Sequence, residues 1–164
     1  MRNFILFSSI LLSSILKLQA QDFTAMANIK LDTEEDYRNS EKELKQCLRY
    51  LTTTSLKDNE INRKYANQFP LRWLTGSPYV SLALKPIVLK LSKKNPEMMM
   101  IYMAGWASAA LENPDLKSEE GNLAGIQQVY EYAKGDNGIK LDGTLKKLIK
   151  AGDAGGLEAW IAKQ

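Results

Sequence analysis

The chain contains no histidine and a single cysteine, Cys47. The commonest ways of activating a nucleophile are therefore closed to it. Ser-His-Asp and Cys-His arrangements need an imidazole to take the proton, and exported zinc hydrolases commonly place His at fixed spacings. A serine–lysine pair needs no imidazole, but Ser-x-x-Lys occurs only at Ser14 and Lys17, inside the segment read below as an export signal.

Paired carboxylates are the catalytic option that remains, because two of them can divide acid and base work. The candidates are Glu34, Glu35 and Asp36, and Glu119 with Glu120. Each group lies at or just ahead of a helix start, where negative charge meets the positive end of the macrodipole. No acid is isolated in an apolar stretch where burial would raise its pKa. No catalytic residue is assigned. Asp136-Asn137-Gly138 and Asp142 superficially suggest a calcium loop, but an EF-hand sets Gly at its sixth position among alternating oxygen ligands. Gly138 comes third, Ile139-Lys140-Leu141 offers no carboxylate, and the segment reads as a turn. Gly152-x-x-Gly155-Gly156 is too sparse for a phosphate cradle. No metal and no cofactor are expected.

Apolar side chains supply the other possible chemistry. Met98, Met99, Met100 and Met103 are flexible and polarizable and can line an adaptable groove. Phe69, Trp73, Met99, Met103 and Trp106 form the candidate apolar pocket or interface; each also falls on a helical apolar face, where plain core packing is the favoured reading. Lys90, Lys93 and Lys94, and Lys146, Lys147 and Lys150, can touch acidic surfaces or form the solvated side of a helix.

Residues 1–20 read as a cleaved signal peptide. Arg2 gives a positive n-region, Phe4 to Leu16 an apolar stretch, and Ala20 a small residue before the cut. The stretch is shorter than the roughly 20 apolar residues of a spanning helix and is broken by four serines, so a retained anchor is the lesser reading. The mature chain is expected to be soluble, exported, and periplasmic or secreted, with no transmembrane span. Arg2 and Lys17 leave with the signal, and 20 basic residues then face 19 acidic ones. That balance gives no electrostatic case for nucleic acid.

The elements that must position these residues are helical. Residues 21–39 lack a sustained period and read as a loosely ordered lead-in, with a helical domain over 40–164. Ser40-x-x-Glu43 has the form of a capping box and opens a helix whose stripe is Leu44, Cys47, Leu48 and Leu51. Cys47 on that stripe reads as core rather than as a bridge to another chain. Ile61, Tyr65, Phe69 and Trp73 mark a helix over 59–75, expected to kink or restart at Pro70. Tyr79–Leu84 reads as extended. Pro86 starts another helix, and Asn95-Pro96-Glu97 starts one to about Glu112 that is apolar almost all round. Gly105 and Ala109 on it could admit a close neighbour. Ser118, Asp142 and Asp153 are expected to cap the last three helices. No repeat recurs at the period of a helical solenoid.

The fold class expected is an all-α single compact bundle of about six or seven helices, the helix near 96–112 central and buried. The function expected is noncatalytic, through contacts with another envelope or extracellular protein. The alternatives are a carrier or sensor of a small apolar ligand between helices, and a carboxylate-dependent enzyme.

Overall fold

The computed structural model describes residues 22–164; the expected signal peptide lies outside them. A short 3-10 turn, η1 (Thr24–Asn28), leads to α1 (Glu34–Asn39), α2 (Glu41–Thr53) and α3 (Glu60–Gly76). There follow α4 (Pro86–Ser92), α5 (Glu97–Glu112), α6 (Ser118–Lys134), α7 (Gly143–Asp153) and α8 (Leu157–Ile161). All regular structure among the described residues is helical, and Tyr79–Leu84 carries none. The protein is an all-α bundle, as its periodicity predicts. Helix α5 is central: it packs on α2, α4 and most extensively on α6, burying Met98, Ile101, Tyr102, Ala104, Gly105, Trp106 and Ala107.

The segment 22–39 is not a loose lead-in. Thr33 and Asp36 form the capping box that the sequence suggested for Ser40 and Glu43. The Thr33 hydroxyl accepts from the Asp36 N–H, and the Asp36 carboxylate accepts from the N–H of Thr33 (2.9 Å) and Asp32 (3.0 Å). These bonds, the Thr33 N–H foremost, hold the Asp36 carboxyl below its ordinary range. Phe23 is fully buried against the Tyr50 ring, with centroids 4.7 Å apart. Arg72 on α3 fixes the end of η1 by donating to the carbonyls of Ala27 (3.0 Å) and Ile29 (2.7 Å). An aromatic anchor and a guanidinium clamp leave no local periodic signature, so the sequence pattern missed them.

Three polar residues expected as helix caps serve tertiary contacts instead. The Ser40 hydroxyl donates to the Asp36 carbonyl (2.7 Å) and accepts from the Trp73 indole N–H (3.1 Å), joining α1 and α2 to α3. Asn95 exchanges two bonds with the backbone of Lys140: its amide donates to the carbonyl (2.9 Å) and its oxygen accepts from the N–H (2.8 Å). Asp153 accepts from the Tyr130 hydroxyl (2.9 Å) and pairs with Lys134 (3.1 Å). Ser118 is simply the first residue of α6, where the Glu120 carboxylate accepts from the Lys117 N–H (2.9 Å). Asp142 caps α7 as expected, accepting from the N–H of Thr144 and Leu145. Helix α3 runs through Pro70 as one element. The proline removes one donor at a turn where Phe69, Pro70, Trp73 and Leu74 are all buried, and burial at about 1.5–3 kcal/mol per large side chain offsets the ~3 kcal/mol penalty. The α3 stripe frays at its start, where Ile61 is 63% exposed.

The α5–α6 seam rests on glycines. A Cβ at Gly105 would stand 2.5 Å from Gln128 Cβ and 2.6 Å from the Ala124 carbonyl oxygen; one at Gly125 would stand 2.6 Å from the Tyr102 ring. Gly121 lies directly beneath the Trp106 indole. The Tyr102 hydroxyl donates to the Asn122 side chain (2.8 Å) across the same seam. Gly105 was legible as a close-approach position; Gly121 and Gly125, one turn apart on the facing helix, were not.

Cys47 is fully buried and unpaired, and burial pushes its thiol up to about 12. Native protein is expected to resist Ellman's reagent at pH 8, reacting only as fast as it unfolds; a thiol modified within seconds in folded protein would refute this. The unfolded thiol ionises near 9.0 and the buried one does not, so its contribution to stability is intact below pH 9 and declines as pH rises from there toward 12.

Candidate surface site on helices 6 and 8

The site is built by docking α8 back onto α6. Helix α7 ends in a turn at Gly155, whose φ of +67° is left-handed and suits glycine. Gly152 lies against the face of the Tyr130 ring with no room for a side chain. The Tyr130 hydroxyl, the Lys134 ammonium and the Asp153 carboxylate close a three-way contact, with Lys134 to Tyr130 at 2.9 Å. Hydrogen bonds from Tyr130 and then Lys134 hold the Asp153 carboxyl down, and the bonds of Lys134 to Tyr130 and then Asp153 raise its ammonium. This latch fixes the end of α7 to α6, and buried Leu157 seats α8.

Two adjoining clefts open between α6 and α8 and share Glu120, Leu123 and Glu158. One, of about 450 Å³, continues to Lys85, Glu119 and Ile161; the other, of about 580 Å³, runs to Tyr130, Gly152 and Leu157. Leu123, Leu157 and Ile161 give an apolar floor, and Glu119, Glu120 and Glu158 supply three carboxylates. Each acid stands in the first turn of its helix, where the backbone dipole favours negative charge. All three are exposed. The geometry suits an apolar side chain flanked by cations. Glu119 and Glu120 are neighbours in sequence; Glu158 joins them only because the chain folds back.

In the other acidic cluster two of the three residues are engaged locally. Glu34 pairs with Arg38 (2.6 Å) and Asp36 caps α1. The five apolar candidates are distributed over the molecule. Phe69 lines a groove of about 530 Å³ between η1 and α3, with Met26, Tyr65, Leu71 and Arg72. Trp73 is fully buried, its indole held by Ser40 and the Tyr37 carbonyl. Trp106 packs edge-on to Tyr102, centroids 5.8 Å apart. Met99 and Met103 are half-buried against the core. Phe69 and Trp73 belong to α3 and Met99, Met103 and Trp106 to α5, two helices that both pack on α2. Of the four surface clefts described, only the η1–α3 groove is lined by one of the five.

The fourth cleft, of about 510 Å³, is lined by Lys57, Asp58, Glu60, Arg63, Lys64 and Glu97 among others. Its guanidinium is already engaged: Arg63 donates to the carbonyls of Leu51, Thr54 and Ser55 and to the Tyr132 hydroxyl, all at 3.2–3.3 Å. No group of three or more Cys, Asp or Glu among the described residues is placed to hold a metal ion, and no described helix is long and apolar enough to cross a membrane.

Fold and site together define an all-α bundle with an acid-rimmed apolar cleft on one face. The chain matches no protein-family model, no curated protein and no solved structure.

Proposed function

We propose that this chain is an exported, noncatalytic helical protein that acts by holding another protein of the envelope or extracellular space, with the joined α6–α8 clefts as the contact surface. The observation that carries the reading is the composition of those clefts. They combine the apolar floor of Leu123, Leu157 and Ile161 with three exposed carboxylates. Such a surface accepts an apolar anchor with Lys or Arg beside it, the anchor contributing most of the affinity and the charges setting orientation and encounter rate.

A photocrosslinking side chain at position 161 is expected to give one discrete adduct in intact cells. Reversing charge with Glu119→Lys and Glu158→Lys should reduce its yield about tenfold, since like charges across an interface cost several kcal/mol, with circular dichroism unchanged. A protein that remains uncrosslinked under all growth conditions sinks the proposal.

A carrier of a small apolar ligand is the second reading. It is favoured by the η1–α3 groove, where Met26, Tyr65, Phe69 and Leu71 form a largely apolar wall. Lipid retained through purification, seen by native mass spectrometry together with an absence of crosslinks, replaces the first reading with this one.

A further inference from the structure

The two lysine triplets, some fifty residues apart in sequence, are brought into one neighbourhood. Helix α4 packs on α7, and Asn95 at the end of the α4 region is bonded twice to the backbone of Lys140 just ahead of α7. Lys90, Lys93 and Lys94 on or just after α4 and Lys146, Lys147 and Lys150 on α7 are all exposed. With Lys140 they make seven cations in the segments 86–95 and 140–150, against one acid, Asp142. The Asp142 carboxylate already accepts from two backbone N–H groups at the start of α7. None of the seven lysines forms an ion pair with a described residue. From residue 21 on, the rest of the chain holds 13 basic and 18 acidic residues. A nearly neutral protein thus has a pronounced positive pole.

Apolar side chains are set into that pole. Leu89, 63% exposed, stands on the outer side of α4 next to Lys90, and Leu141, 45% exposed, stands next to Lys140. The buried side of α4 is already supplied by Ile87, Val88 and Leu91, so Leu89 is surplus to the core. Exposed leucines among unpaired lysines suit an interface that is anionic at its surface and apolar just beneath. A lipid bilayer offers that combination, whereas a nucleic-acid backbone offers the charge alone.

We propose that the α4–α7 face is a peripheral docking surface for membranes rich in anionic phospholipid, with the lysines over the headgroups and Leu89 and Leu141 reaching into the acyl boundary. This surface is separate from the α6–α8 clefts, and its test does not depend on them.

The test is cosedimentation of the protein with vesicles of phosphatidylcholine containing 30% phosphatidylglycerol, against vesicles of phosphatidylcholine alone. Binding is expected only to the anionic vesicles and should weaken with added salt. Lys90→Gln, Lys93→Gln and Lys94→Gln together should lower the partition coefficient at least tenfold, from about one kcal/mol per surface lysine. Leu89→Ser should lower it severalfold without changing the salt dependence. Lys42→Gln with Lys45→Gln, exposed changes on α2, should leave it unaltered. All substituted side chains are exposed, and circular dichroism checks the fold of each variant. Equal sedimentation with both vesicle types, or with neither, overturns the proposal. So does Leu89→Ser binding as tightly as the parent, which would reduce the contact to charge alone, with no leucine entering the acyl boundary.

Discussion

Gly105→Val is expected to destabilise the bundle by about 3 kcal/mol or more, the upper range for over-packing a tight interface. The cause is specific to the site. A Cβ there would lie 2.6 Å from the Ala124 carbonyl oxygen, a backbone atom that no rotamer change can move aside. The two helices must separate along the seam that buries Tyr102, Trp106 and the Tyr102–Asn122 bond. Gly105→Ala adds less bulk and regains about 1 kcal/mol of helix propensity, so its net loss should be about 1–2 kcal/mol. Gly143→Ala is the internal comparison, because a Cβ there meets nothing within 4 Å. It should be neutral or stabilising by up to about 1 kcal/mol. Urea midpoints at constant m-value report all three. A Gly105→Val midpoint equal to the parent's would mean that the helices do not approach as closely as described.

Arg63→Met is expected to cost about 2–4 kcal/mol, from charge-assisted bonds of about 1.5–3 kcal/mol each, partly replaced by water in the adjoining cleft. Arg63 is buried without a carboxylate partner. Its two terminal nitrogens donate to the carbonyls of Leu51, Thr54 and Ser55, where the C-terminal end of α2 carries partial negative charge, while the buried Nε has no partner among the described residues. The Tyr132 hydroxyl accepts from the same guanidinium (3.2 Å) and donates to the Thr54 carbonyl (2.8 Å). Burial raises the Tyr132 phenol, and the nearby guanidinium opposes that rise. One side chain therefore ties α2, α3 and α6 together. Arg63→Lys should recover less than half of the loss, because an ammonium cannot span carbonyls on both sides of the planar fork. Full recovery by lysine, or a loss below about 0.5 kcal/mol in the methionine variant, would show that the guanidinium geometry is unimportant here.

Much of the helical framework was legible because apolar periodicity is a local property. The stripe Leu44, Cys47, Leu48 and Leu51 and the all-round apolarity of 98–111 located α2 and the buried α5 directly. Pro86 and Asp142 marked helix starts through backbone chemistry within one turn. Capping was less legible. Ser40, Asn95 and Asp153 each had a short-range cap available and make a long-range bond in the fold, and sequence reveals only the short-range choice. The site was legible least of all. Glu119 and Glu120 were visible as a pair, but Glu158 reaches them only through the turn at Gly155 and the latch of Tyr130, Lys134 and Asp153.

The sequence by itself determined that the chain is helical, that α5 lies inside, and that no imidazole or metal-ligand motif is present, since each follows from residue types and spacings within a few turns. Only the tertiary structure decided which charged groups stand together: three carboxylates around an apolar cleft, and two lysine triplets beside exposed leucines. Charges on separate helices interact through space, and their spacing depends on how those helices cross. At the α5–α6 seam, that crossing depends on where glycine lets one backbone approach another.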